Sequence, residues 1–143
     1  MKIVFVCTGN TCRSPLAEAL LTKYAKDNQL NIEAQSCGLN CPHGEEMSKN
    51  TAALIAKMDI PFEHVSIPLT PDILNSADYI ITMQKWQKDA ILKAVKTEKV
   101  YSMGDFSYGE DIADPFGGDI NVYKEVEEQI EKIIPNIVDK LYK

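Results

Sequence analysis

Long apolar segments are missing from this chain of 143 residues. No apolar run approaches the roughly 20 residues that a membrane-spanning helix needs. The opening apolar stretch, Ile3-Val4-Phe5-Val6, is far too short for a signal peptide. We therefore expect a cytoplasmic protein with no membrane partner.

An excess of positive charge is also missing, because 15 Lys and Arg residues stand against 21 Asp and Glu residues, for a net charge of −6. Neutralising nucleic-acid phosphates requires a basic face, so the net charge argues against a general nucleic-acid binder. The chain has no internal repeat, low-complexity tract or interdomain linker. Its length fits one domain, residues 1–143, with an adequate core, and we expect that domain to act as a monomer.

Cysteine is scarce, with four residues, Cys7, Cys12, Cys37 and Cys41, and none after position 41. A disulfide framework is not expected, since the chain is long enough to build a core without one. Cys37-x3-Cys41 has a tolerable spacing for zinc and His43 lies near, but no second ligand pair completes the set. The sequence therefore predicts no metal site, and His43 is better explained as an exposed loop residue than as a general base.

The most informative stretch that is present is Cys7-Thr8-Gly9-Asn10-Thr11-Cys12-Arg13-Ser14-Pro15. It follows a buried-strand pattern and precedes an amphipathic helix pattern. A strand that turns through small residues into a helix directs several backbone N–H groups, and the positive end of the helix dipole, at one point. The stretch therefore predicts an anion site, most naturally for a phosphoryl group.

Two side chains make this anion site a reactive one. A thiol at Cys7, beside convergent N–H donors and a guanidinium, favours the thiolate form. Arg13 offers a planar fork that matches two phosphate oxygens. Ser14 can either cap the helix or hydrogen-bond the Cys7 sulfur, and Asn10 tolerates a left-handed backbone and can tie the loop together. The loop can thus hold a phosphoryl group while Cys7 attacks phosphorus.

This C-x5-R-S loop at the first strand resembles that of the low-molecular-weight phosphatase family. The resemblance implies a phosphoprotein phosphatase that forms a phosphocysteine on Cys7 and needs neither metal nor cofactor, because Arg13 and the backbone amides supply the charge stabilisation. It favours the hydrogen bond from Ser14 to sulfur, and it implies that the stretch His64-Val65-Ser66 buttresses the loop. The implied phosphate-binding residues are Thr8, Gly9, Asn10, Thr11, Cys12 and Ser14.

A general acid is expected in the loop after the last strand, residues 111–118. Asp114-Pro115-Phe116 resembles the family's general-acid loop. There Asp114 would protonate the leaving group and later accept a proton from the water that attacks the phosphocysteine. Phe116 would remain available for packing against the substrate. A further consequence of the loop chemistry is that Cys12 could trap an oxidised Cys7 as a disulfide.

The substrate is indicated by departures from the tyrosine-specific pattern. Thr11 stands where tyrosine phosphatases usually have an aliphatic residue, and Phe116-Gly117-Gly118 follows the D-P dipeptide. This combination looks like the bacterial protein-arginine-phosphatase branch. A polar Thr11 can face the N–H groups of phosphoarginine, which an aliphatic residue would leave unpaired. The alternative is a protein-tyrosine phosphatase.

Two weaker alternatives belong to other classes. Thiol-dependent arsenate reductases share the fold and loop but need resolving cysteines further along, and this chain has none after Cys41. A non-catalytic phosphate-binding domain would not need both Arg13 and Asp114.

Strand and helix patterns alternate along the whole chain, which predicts an α/β fold: a doubly wound open parallel sheet of about four strands with helices on both faces. Pro135 should kink or break the last helix near Ile134. The predicted strands are 3–6, 32–36, 79–83 and 100–102, with a short extended segment at 62–67. The predicted helices are 15–28, 48–57, a short one from 70, 85–95 and 121–141.

Overall fold

The computed structural model describes all 143 residues. It contains four strands, five α-helices and one short 3₁₀ helix. The strands are β1 (Lys2–Cys7), β2 (Glu33–Gly38), β3 (Tyr79–Thr82) and β4 (Val100–Ser102). The α-helices are α1 (Arg13–Asp27), α2 (Lys49–Ala56), α3 (Pro71–Ser76), α4 (Lys85–Ala94) and α5 (Ile120–Leu141), and the 3₁₀ helix is Met103–Phe106.

The four strands form one parallel sheet in the order β2-β1-β3-β4. β1 is a central strand, since Ile3 is paired with Ala34 of β2 on one side and with Tyr79 of β3 on the other. Its carboxyl end is Cys7. Ligands of open parallel sheets bind beyond the carboxyl ends of the strands. The first strand therefore places Cys7 at the edge where a ligand is expected.

β1 is apolar throughout because both of its faces are covered. Ile3 and Phe5 belong to a core that also contains residues of α1 and α5. Val4 and Val6 belong to a second core on the opposite face, together with Leu74 of α3 and residues of α4 and β4. A parallel strand buried on both faces is expected to be a continuous apolar run. The predicted fold class is confirmed, with helices on both faces of a four-stranded sheet.

Several element boundaries differ from the predicted ones. α1 begins at Arg13, two residues before the predicted Pro15, because Ser14 does not cap the helix and its hydroxyl is bound to Cys7 instead. β2 extends to Gly38 because its ladder with β1 continues as far as the Cys7–Gly38 pair. The segment 62–67, which was predicted to be extended rather than a strand, contains one isolated bridge, between Val65 and Glu46.

Of the predicted kink or break near Ile134, the break does not occur, because α5 runs through Pro135 to Leu141. A proline inside a helix removes one hydrogen bond and costs about 3 kcal/mol. Buried residues on both sides of it, including Ile133 and Ile137, fix the helix against the core. Burial of such side chains, at about 1.5–3 kcal/mol each, exceeds that cost. Among all the helices, none combines the length and the apolar character that crossing a bilayer would require.

Candidate active site

The loop that joins β1 to α1, residues 8–12, closes around the sulfur of Cys7. Asn10 lies at its apex with a left-handed backbone (φ 57°), and its N–H donates to the Cys7 Sγ at 3.2 Å. Ser14 places its Oγ 2.9 Å from the same sulfur. Cys7 is almost completely buried. The sulfur thus faces two hydrogen-bonding groups that stabilise negative charge on it.

The Asn10 side chain ties the loop to its surroundings. Its amide nitrogen donates to Ser14 Oγ at 2.8 Å and to Ser36 Oγ at 3.0 Å. Its amide oxygen accepts from the Ile67 N–H at 3.0 Å. Asn10 is fully buried, so each of these bonds is protected from water. The left-handed backbone and the three side-chain bonds together explain why asparagine suits this position.

A largely buried carboxyl group and an imidazole support the loop. Ser36 Oγ donates to Glu18 Oε1 at 2.7 Å, and His64 Nε2 donates to the backbone oxygen of Asn10 at 2.8 Å. The His64 Nδ1 lies 3.9 Å from Glu18 Oε1. Burial raises the pKa of Glu18 to about 7 against the opposing effect of the Ser36 hydrogen bonds, and burial lowers the pKa of His64. Of the stretch predicted to buttress the loop, His64 contacts it, whereas Ser66 hydrogen-bonds to Pro42 and Glu45 instead.

The segment after β2 supports the outer edge of the loop. Leu39 N–H donates to the Cys7 carbonyl at 2.9 Å, and Asn40 N–H donates to the Thr8 carbonyl at 3.0 Å. A side chain at Gly38 would put a Cβ only 2.8 Å from the Thr8 backbone oxygen. Glycine is therefore required at position 38 by the close approach of the two segments.

Arg13 is oriented by residues that the sequence analysis did not identify. Its Nη1 donates to Gln84 Oε1 at 2.8 Å and to the Ile112 carbonyl at 3.0 Å. The indole N–H of Trp86 donates to the same Gln84 oxygen at 3.2 Å. These bonds use two of the five guanidinium N–H groups and leave three for an anion. One feature of the sequence could have identified Gln84 as a site residue: it lies two residues beyond the end of β3, at the edge of the sheet where ligands bind.

Asp114 lies next to this guanidinium. Its Oδ2 is 3.8 Å from Arg13 Nη2, and its side chain is about half exposed at 55%. The other carboxyl oxygen accepts from the Phe116 N–H at 3.1 Å, which fixes the carboxyl group within its own loop. The Phe116 side chain is exposed beside it. The structure thus brings Asp114 to the anion site although it is 101 positions from Arg13.

Tyr123, in the first turn of α5, is a second residue that the sequence analysis missed. Its Oη is 3.4 Å from Cys12 Sγ, and its pKa is raised mainly by burial. Thr11 remains partly accessible on the same loop, with its Oγ1 3.8 Å from Cys12 Sγ. The only feature of the sequence that could have placed Tyr123 near the site is its position a few residues after the Asp114 loop.

The other candidate groups do not join this cluster. Cys37 is fully buried in β2, where burial raises the pKa of its thiol to about 12, and burial also raises the pKa of Cys41. His43 is exposed in the loop that follows. The structure gathers no group of three or more His, Cys, Asp or Glu side chains that could hold a metal ion. The candidate site therefore consists of a buried thiol with the Asn10 N–H and the Ser14 hydroxyl beside it, together with a guanidinium and a carboxyl group.

Comparisons with known proteins agree with this geometry. Residues 2–143 match the family model described as low molecular weight phosphotyrosine protein phosphatase. The chain is 37% identical to a protein-arginine-phosphatase of Bacillus subtilis, with 100% of this chain and 98% of the relative covered. It is 38% identical to the low molecular weight protein-tyrosine-phosphatase PtpB of Staphylococcus epidermidis, with 99% of this chain and 96% of the relative covered.

One solved structure similar to this fold bears directly on the chemistry. It is a cysteine-to-serine mutant of the YwlE arginine phosphatase with a phosphorylated active site serine. It superposes with a TM-score of 0.92 at 33% identity and covers 100% of this chain and 97% of its own. A phosphorylated side chain at the position of a nucleophile is what a covalent intermediate would leave there.

Proposed function

Because the chain belongs to the low molecular weight phosphotyrosine protein phosphatase family, we propose that it hydrolyses phosphoarginine in proteins through a phosphocysteine intermediate on Cys7. It is a cysteine-dependent phosphoprotein phosphatase. The observation that carries the proposal is the joint placement of a buried Cys7 sulfur with two hydrogen-bonding neighbours and of Arg13 3.8 Å from Asp114. A single domain spanning residues 1–143 would supply all of these groups.

The first step forms the S–P bond. The phosphoryl oxygens bind the loop N–H groups and the free N–H groups of Arg13, which spread the charge of the transition state. The Cys7 thiolate attacks phosphorus, and the P–N bond of phosphoarginine breaks. Asp114, protonated in this step, donates its proton to the departing guanidine nitrogen. The products are a phosphocysteine and an unmodified arginine.

The second step breaks the S–P bond. A water molecule attacks phosphorus and gives a proton to the Asp114 carboxylate, which restores the acid for the next turnover. The electron pair of the S–P bond returns to Cys7, whose negative charge is stabilised by the Asn10 N–H and by Ser14. Inorganic phosphate leaves, so atoms and charge balance without a metal or cofactor.

Thr11 favours phosphoarginine over phosphotyrosine. Its hydroxyl is bound to no strong partner in the structure and lies on the accessible part of the loop. A phosphoarginine side chain presents N–H donors there, whereas a phosphotyrosine ring presents only carbon. A hydroxyl acceptor pairs those donors, and an aliphatic side chain would leave them unpaired. The chain is similar to both arginine and tyrosine phosphatases, and Thr11 is the residue that we propose sets the preference for phosphoarginine.

The deciding experiment measures kcat/KM on matched phosphoarginine and phosphotyrosine peptides. We expect the wild type to prefer phosphoarginine and Thr11→Ile to lose tenfold or more of that activity, roughly the effect of one unpaired donor. Thr11→Val removes the hydroxyl at constant shape and should behave like Thr11→Ile, while Thr11→Ser keeps the hydroxyl and should retain the preference. A wild type that prefers phosphotyrosine, together with an unaltered Thr11→Ile, would show that the enzyme is a tyrosine phosphatase.

The covalent step is tested separately with an aryl phosphate. Rapid acid quenching should leave a phosphorylated adduct on the peptide that contains Cys7, and the adduct should accumulate in Asp114→Ala because its hydrolysis is slowed. Cys7→Ala has no nucleophile and provides the control for non-enzymatic phosphorylation. If no phosphorylated adduct forms in the wild type or in Asp114→Ala, the phosphocysteine mechanism is wrong.

We propose further that the protein works as a cytoplasmic monomer, without nucleic acid or membrane, on phosphorylated proteins. All the groups of the mechanism come from one chain, so no second copy is needed. A nucleophilic thiol must also stay reduced, as thiols do in the cytoplasm. Sedimentation at micromolar concentration and fractionation of cells test these two statements.

A further inference from the structure

An apolar groove leads away from the active site on the α3–α4 face of the sheet. It has a volume of about 750 Å³, and eight of its thirteen lining residues are hydrophobic. The buried side chains Leu74 and Ile91 form its floor, and Leu39 and Leu69 also line it. The proposed mechanism uses none of these side chains.

The groove is continuous with the phosphate loop. Thr8, the first residue of that loop, lines it, and Thr8 is held there by a hydrogen bond from Gln87 Nε2 at 3.1 Å. Trp86 lines the groove as well and donates its indole N–H to Gln84, the residue that holds Arg13. A protein segment whose phosphorylated residue occupies the loop would therefore have this groove directly beside it.

The dimensions of the groove suit a short stretch of polypeptide. Trp86, Ala90 and Ala94 line one side at intervals of four residues, so they share one face of α4. Eight residues of helix span about 12 Å. An extended chain advances about 3.3 Å per residue, so this wall is as long as three to four substrate residues.

The chemistry of the lining defines the occupant. No lining residue is charged, although a quarter of the whole chain is. Trp86 is half exposed at 52% and is the only tryptophan. Large aromatic side chains that line uncharged, desolvated pockets are the usual anchors of apolar side chains from a partner. The groove is thus unsuited to a charged segment and suited to leucine-like side chains.

We propose that this groove binds an apolar side chain of the substrate protein, located within a few residues of the phosphorylated residue, and so selects among phosphorylation sites. The inference rests on the proposed phosphatase function, because the groove acts on substrates that the loop has already engaged. Burying one leucine side chain should raise kcat/KM about tenfold, mainly by lowering KM. An aryl phosphate reaches the loop but not the groove, and its turnover reports the chemistry alone.

The test uses a set of alanine-based peptides that carry the preferred phosphorylated residue and one leucine, placed in turn at each position from about five residues before to five after it. We expect one or two positions to raise kcat/KM about tenfold over the all-alanine peptide. Ala90→Glu puts a charge into the groove from an exposed position and should abolish this gain while aryl phosphate turnover stays unchanged. Ala53→Glu, the same substitution on exposed α2 outside the groove, should keep the gain.

Trp86 gives a second readout that does not depend on catalysis. In the inactive Cys7→Ala variant, the best leucine peptide should shift the tryptophan emission to shorter wavelength, and the all-alanine peptide should not, since only leucine displaces water from the indole. A shift with protein concentration alone would assign the groove to a second copy of the chain and overturn the proposal.

The outcomes of the peptide series separate the two proposals. Equal kcat/KM for all peptides, with normal aryl phosphate turnover, would reject the groove and leave the phosphatase function standing. Retention of the leucine gain in Ala90→Glu would also reject it. Absence of aryl phosphate turnover in the wild type would reject the proposed function and the groove with it.

Discussion

Replacing Glu18 by glutamine should remove a specific pH dependence of stability. Burial raises the pKa of Glu18 from 4.5 to about 7, so the folded protein holds a proton there that the unfolded chain releases. This contribution to stability is fully present below pH 4.5 and is lost as the pH rises through about 7. At about 1.4 kcal/mol per unit of pKa, the loss amounts to about 3 kcal/mol. A glutamine at position 18 stays neutral at every pH and can still accept the hydrogen bond from the Ser36 hydroxyl.

The difference between the free energies of unfolding of Glu18→Gln and wild type isolates this effect. That difference should increase by about 3 kcal/mol between pH 4.5 and 7.5, or about 10 °C in Tm for a chain of this size. His64 titrates in the same range with the opposite sign, since burial lowers its pKa, and its contribution largely cancels because both proteins contain it. Glu98→Gln removes the same charge from an exposed position and measures the effect of net charge alone.

Urea unfolding followed by circular dichroism at half-unit pH steps provides the measurement. A difference between Glu18→Gln and wild type that is the same at pH 4.5 and pH 7.5 would refute the reasoning, because Glu18 would then be charged in the folded protein at neutral pH.

The remaining predictions concern the loop itself. Gln84→Ala should weaken the hold on Arg13 and raise the inhibition constant for inorganic phosphate about tenfold, since a hydrogen bond to a charged group is lost; an unchanged constant in steady-state inhibition would contradict this. Asn10→Ala removes three buried side-chain hydrogen bonds at a left-handed position and should lower the free energy of unfolding by about 3 kcal/mol in urea titrations; a loss within experimental error would argue against it. Peroxide should inactivate the enzyme reversibly through a Cys7–Cys12 disulfide, visible by mass spectrometry, and if the oxidised protein shows no bridge this regulation is absent.

Much of the fold could be predicted because the local signals agree with the tertiary structure. The apolar run of β1 follows from burial on both faces, and Ser48 and Thr70, where two of the predicted helices begin, are the N-caps of α2 and α3 in the structure. The start of α1 was predicted too late because Ser14 resembles a cap in isolation, whereas its hydroxyl is used by the Cys7 sulfur. A kink or break near Ile134 was predicted from the local propensity of Pro135 alone, and the break does not occur because the buried residues on both sides hold the helix together.

The candidate site also contains some residues that the sequence indicated and others that only the structure shows. Cys7 and Arg13 are close in sequence, so their spacing alone indicated an anion-binding loop with a nucleophile. Gln84, Ile112 and Tyr123 come from distant elements and carry no local signature, so only the packed structure shows that they hold Arg13 and meet Cys12.

By itself, the amino-acid sequence determined the parallel α/β architecture and the chemistry of the loop, since strand, turn and helix preferences act over a few neighbouring residues. Only the tertiary structure decided which other distant groups surround that loop: the Gln84 amide on the guanidinium, the largely buried Glu18 bonded through Ser36 and the apolar groove beside the loop. The physical reason is that burial and desolvation depend on the whole packed chain. The carboxyl group of a glutamate such as Glu18 has its ordinary pKa when it lies on the surface. Its pKa rises only when the fold removes water from it.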